Sequence, residues 1–216
     1  MAFFSSKDKE RTEGKVTTQK KQKPVNTKTT YDTTISKNIN IEGNIDGTDS
    51  LIIEGNLQGN ITVNNVTIGK TGSVTGLITA QNVIVSGKVN GKITCNTLDI
   101  MHDGYITNSI HAKKITVSGE ILGDILAEET INVTSTGKVK TNSLIAKYII
   151  VNGNIEGKIS ASELLNVGVN GFVSGEISVK NIKTDEGGRV IGSMAMYEAP
   201  KKKKKKSEIL DTTIED

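Results

Sequence analysis

Four segments of the chain superpose without a gap: LIIEGNLQGNI (51–61), VIVSGKVNGKI (83–93), ITVSGEILGDI (115–125) and IIVNGNIEGKI (149–159). Their starts are 32, 32 and 34 residues apart. Between and after them runs a second class: VTIGKTGSVTGLI (66–78), LDIMHDGYITNSI (98–110), INVTSTGKVKTNS (131–143), LNVGVNGFVSGEI (165–177) and IKTDEGGRVIGSM (182–194). The second class carries two more residues before a shared glycine. Those glycines are Gly55, Gly72, Gly87, Gly104, Gly119, Gly137, Gly153, Gly171 and Gly188, at intervals of 15 to 18 residues. An incomplete unit, INIEGNIDG (39–47), precedes the array. A repeat this regular limits the chain to architectures that stack one small unit on the next.

Within each unit apolar and polar residues alternate. In 51–61 one face holds Leu51, Ile53, Gly55, Leu57, Gly59 and Ile61; the other holds Ile52, Glu54, Asn56, Gln58 and Asn60. Period two means strand with one buried face. The glycines fall in the inward phase and read as corners, where no interior side chain fits. Strands of three to five residues are not stable alone. Stacking solves this: each strand pairs in parallel with its equivalent one turn on, and the inward Ile, Val and Leu form a continuous core. The expected fold is therefore all-β, a parallel β-solenoid of about ten short turns. At about 4.8 Å per turn it would be a rod of about 45–50 Å. The competing arrangement, a Greek-key sandwich of short strands, does not explain the fixed phase and repeat length.

Composition fits this core. The 216 residues include no Trp, three Phe and four Tyr, so aromatics cannot build it. The two prolines are Pro24 and Pro200, which leaves the array free of residues that interrupt a sheet. Charge divides the chain. Residues 1–30 hold eight Lys/Arg against three Asp/Glu; residues 198–216 hold six against five. The middle is mildly acidic. Three regions follow: a basic N-tail (1–33) and a Lys-rich C-tail (198–216), both of disordered composition, around a solenoid (34–197).

The array and its flanking tails resemble the bactofilins, bacterial polymer-forming cytoskeletal proteins. The resemblance rests on the repeated [VI]-x-G-x-[IV]-x-G-[DNK]-I units over about residues 34–196 and on the layout of both tails. It implies a single-stranded, right-handed, three-sided β-helix without a nucleotide site. It further implies non-polar, end-to-end filaments under the cytoplasmic membrane, with roles in cell shape, appendage formation or the positioning of cell-wall enzymes. The array is longer than the family's commonest form, and a valine stands where an aromatic often occurs in the last turn.

A solenoid has two ends, each with unpaired backbone groups and its apolar columns in cross-section. Soluble solenoids usually carry a cap there. None is legible here, so the ends are expected to join copies of the same chain. The resemblance places a large apolar joint residue in a G-G-x-φ-x-G segment, which maps onto Val190 within Gly187–Gly192. Ile191 lies beside it, and Met194 and Met196 continue the inward phase. At the other end Ile39, Ile41 and Ile45 would face a partner. The plainer reading makes all of these ordinary core residues of terminal turns.

The chain starts Met1, Ala2, Phe3, Phe4, with Lys7, Lys9 and Arg11 following. Aromatics before cations suit the interface of an anionic membrane. With no secretory h-region and one cysteine, the expected setting is the cytoplasm, at the inner face of its membrane. The run Lys201, Lys202, Lys203, Lys204, Lys205, Lys206 suits an anionic surface or acidic partner, although such a run is more often a solvated tail. The expected partners are the chain itself, the membrane and cell-wall or morphogenesis proteins; nucleic acid is not expected.

Chemistry is sparse. There is no G-x-x-x-x-G-K-[ST] loop, so no nucleotide cofactor is expected. No Ser, His and acid assemble into a triad. His102 and His111, with Asp99 and Asp103 nearby, read as surface residues rather than a metal site. Cys95 reads as a core or edge thiol. The alternatives, an acyltransferase-like left-handed β-helix or a non-polymerising solenoid binding module, lack support. The first needs a period of six and a catalytic histidine. No catalytic, cofactor or metal residue is assigned.

Overall fold

In the computed structural model of the chain, which describes residues 32–198, every regular element is a β-strand and every pairing is parallel. Each repeat forms one turn of three sides. On the first side, 32–35 pairs with 50–53, then in order 65–68, 82–85, 97–100, 114–117, 130–133, 148–151, 164–167 and 182–184. The second side runs from 40–42 through 56–58 and 73–75 to 189–191. The third runs from 45–46 through 61–62 and 78–79 to 194–196. The structure is a three-sided parallel solenoid of ten turns.

Five inward columns fill its interior. The first side supplies two, for example Ile115 and Val117. The second supplies one, for example Ile121. The third supplies Ile125 and the smaller Ala127, all buried. The column through Ala127 is made of Cys95, Ala112, Ala127, Ala146 and Ala161 over five successive turns, so the lone thiol occupies an alanine position next to a corner. Burial pushes the Cys95 thiol up to about 12.

The glycines have a different cause from the one expected. The nearest obstacle to a side chain is the backbone of the turn beneath, although the buried Ile100 and Val167 also crowd the Cβ direction at Gly104 and Gly171. A Cβ at Gly72 would collide with the backbone oxygen of Ile53 in the turn beneath. A second glycine series stands between the second and third sides. Gly76, with φ +142°, would place its Cβ against the carbonyl of Gly59, the equivalent glycine one turn earlier. The exclusion is between stacked backbones. Because these corner residues stay in register, as Gly76 does with Gly91, strands longer than expected run on around the corners, including Lys88–Ile100 and Asn154–Val167.

The two repeat classes differ by a β-turn. In the longer class the Gly72 N–H donates to the Gly69 carbonyl at 2.9 Å, and Gly104 N–H to Met101 at 2.9 Å. These knobs recur on alternate turns as far as Gly168–Gly171, with another at Asp185–Gly188 in the turn directly after, and Lys70 Nζ reaches from one to Asp103 of the next at 2.9 Å. Side-chain ladders add to the backbone pairing: Asn82 Nδ2 donates to Asn65 Oδ1 at 2.9 Å.

Candidate assembly faces

The solenoid has its chemistry at its ends. The first turn is built from Asp32–Ile35, Asn40–Glu42 and Ile45–Asp46. Among the described residues each of these strands pairs on one side only, with 50–53, 56–58 and 61–62. Their outer edges hold unsatisfied backbone groups. Register sets Ile41 over Leu57 and Ile45 over Ile61, so both belong to the inward columns. Leu57 and Ile61 are fully buried, whereas Ile41 and Ile45 are half-buried because nothing described covers them. Ile39, at the corner before them, is 45% exposed. Gly43 heads the positive-φ glycine series with φ +142°, and a Cβ there would meet nothing within 4 Å.

The last turn is Ile182–Thr184 and Arg189–Met196. These strands also pair on one side only, with 165–167 and 172–179. Val190 stands over Val173, Met194 over Ile177 and Met196 over Val179. Ile177 and Val179 are 2% and 4% exposed; Met194 and Met196 are 52% and 76%. The same columns thus go from core to open surface within one turn. Val190 is half-buried against the core. Arg189 lies over the Phe172 ring, 5.8 Å from its centroid, on the outer side of the same strand pair.

Of the residues singled out in the sequence, the structure therefore gathers Val190, Met194 and Met196 on one end and Ile39, Ile41 and Ile45 on the other. Ile191 departs from its group: it pairs with Ser174, in the outward phase, and points to the flank of the rod. Sequence reasoning missed Ile182. It stands over Leu165 as the first-side member of the C-terminal face and is 39% exposed. The signal was present, since IKTDEGG aligns with LNVGVNG and puts Ile182 in the inward phase. Met1, Phe3, Phe4, Lys7, Lys9 and Lys201 to Lys206 lie outside the described residues.

The remaining polar candidates are dispersed. Asp103 is held by Lys70, which keeps its carboxyl below the ordinary range. His111 Nε2 lies 3.2 Å from Glu128 Oε1, on another side of the rod from His102. Among the described residues no three His, Cys, Asp or Glu come together as a metal site. No described helix is long and apolar enough to cross a membrane.

A family model described as "Bactofilin: Polymer-forming cytoskeletal" matches the chain twice, over residues 33–119 and 112–195. Each match spans about half of the ten turns, and together they cover the solenoid from end to end. No curated protein and no solved structure matches the chain significantly.

Proposed function

The chain belongs to the bactofilins, a family of polymer-forming cytoskeletal proteins, and from that premise we propose that it is a non-catalytic scaffold whose subunits join end to end, without nucleotide, through the two open faces of the solenoid. One observation carries the reading: inward columns that are fully covered through the middle of the rod become half-exposed at Ile41, Ile45 and Val190 and open at Met194 and Met196, beside strand edges that no described residue pairs, while Ile35 stays buried. A second copy supplies both missing contacts at once, apolar cover and backbone pairing. Because each subunit has two such faces, association continues into an open fibre. The filament lies at the inner face of the cytoplasmic membrane, anchored by Phe3 and Phe4 with Lys7 and Lys9. One such anchor binds weakly, but a polymer sums many. The attached filament then positions cell-envelope or cell-shape proteins.

The test is Val190→Arg in the full chain. A charge buried without a partner at the joint costs several kcal/mol, on the order of 3–5. The variant should remain folded by circular dichroism and yield only short species in negative-stain micrographs. Wild-type-length filaments from the folded variant would refute the C-terminal joint. Separately, removing residues 2–4 should abolish co-sedimentation with anionic liposomes while filaments persist. Unchanged co-sedimentation would remove the anchor from the proposal.

A further inference from the structure

The register of the last strand also exposes two oxidisable sulfurs. Between the first and last turns the two inward columns of the third side hold branched aliphatics, alanine and one cysteine; methionine occurs there at the final turn alone, as Met194 and Met196. Methionine suits a joint, because its unbranched, polarisable side chain adapts to an irregular partner surface. The same thioethers are open to solvent until a partner arrives.

We propose that Met194 and Met196 form a peroxide-sensitive modification site that decides whether the C-terminal face can join another subunit. The inference rests on the assembly reading of that face. A lone pair on sulfur attacks one oxygen of hydrogen peroxide. The O–O bond breaks, the S–O bond forms, and the departing hydroxide takes up the proton to leave water. Methionine is oxidised to its sulfoxide and peroxide is reduced. The sulfoxide is polar and branched at sulfur. Beneath the two positions lie Ile177 and Val179, and Val190 stands in the same turn; none of these side chains donates a hydrogen bond, so closing the joint would bury a strong acceptor unpaired. Inside a filament the two sulfurs are covered. Oxidation therefore acts on free subunits and fibre tips and limits growth rather than dissolving fibre. Met101 provides an internal reference: it sits at a corner of the fifth turn, 43% exposed, away from both ends.

Two measurements test this with the full chain. First, hydrogen peroxide is applied to wild-type filaments and to the short species of Val190→Arg, and sulfoxide is quantified by peptide mass spectrometry. Met194 and Met196 should be protected relative to Met101 in filaments and reactive in the short species. Equal reactivity in both would show that the C-terminal face is not covered by a partner, and the assembly reading of that face would fall with the inference. Second, wild type and a Met194→Leu/Met196→Leu variant are oxidised in urea and refolded by dilution, with folding followed by circular dichroism. Oxidised wild type should fold and lose sedimentable filament at least about ten-fold; methionine sulfoxide reductase should restore it. The double variant, read against its own untreated sample, should show no change in sedimentable fraction on oxidation, since Leu lacks the sulfur. If wild type carrying both sulfoxides sediments like untreated protein, or if the double variant is inhibited equally, the modification site is overturned, while Val190→Arg still reports independently on the joint.

Discussion

At the scale of single residues, the corner glycines permit the close stacking of successive turns. Gly76 combines φ +142° with a Cβ direction blocked by the carbonyl of Gly59, while Gly43 has φ +142° with that direction open. Comparing them separates the two penalties. Gly43→Ala should carry only the backbone strain, on the order of 1–3 kcal/mol. Gly76→Ala adds the collision and should lower the thermal midpoint by at least about 4 °C more. Equal shifts would show that stacked backbones are not what excludes a side chain there. Cys95 gives a second residue-level prediction. Burial holds its proton up to about 12, so the folded state binds that proton where the unfolded thiol, near 9, has released it. Stability should thus fall as pH rises from about 9 toward 12, and Cys95→Ala should remove this share of the slope. In the folded protein Cys95 should also resist alkylation at pH 8.

At the scale of the element, strand and knob contribute differently. Strand stability resides in the inward columns. Ile121→Ala, in a fully buried mid-rod position, should cost about 2–5 kcal/mol, measured as a shift in the denaturant midpoint. The knob pair Lys70–Asp103 is exposed on both sides. Asp103→Asn should leave the thermal midpoint within about 1 °C of wild type at pH 7. Because its carboxyl is held below the ordinary range, whatever the pair contributes is present above that range and is lost as pH falls through the folded value. Strand phase was legible from the alternation in 51–61, and of the inward residues read there all but Gly59 are buried. The knobs were legible only as two extra residues. Nothing in the letters GKTG or MHDG says that their hydrogen bonds close β-turns, since that depends on where the next corner lies. Nor does local spelling separate Ile191 from Val190: both are apolar, and only pairing with Ser174 and Val173 puts them on opposite faces.

At the scale of the whole molecule, the rod behaves as a stack of interchangeable turns between two distinctive ends. Contacts run almost wholly between neighbouring turns, so an interior pair can be removed without altering the faces. Deleting residues 83–114 joins Asn82 to Ile115 at equivalent positions of the first side. The shortened chain should still polymerise, with an axial repeat per subunit smaller by about 10 Å, twice the strand spacing. Loss of polymerisation in a folded deletion would mean that the middle of the rod takes part in assembly. Two successive family-model matches on one chain fit the same modularity.

The amino-acid order alone determined the parallel solenoid, the number of its turns and which residues enter the core, because period-two alternation and a 15- to 18-residue repeat are local properties that stacking only multiplies. Tertiary structure decided the rest. It traced the glycines to the turn beneath, turned Ile191 outward and left Met194 and Met196 uncovered. All three depend on what lies one turn away, a distance of about 4.8 Å in space but of some sixteen residues in sequence.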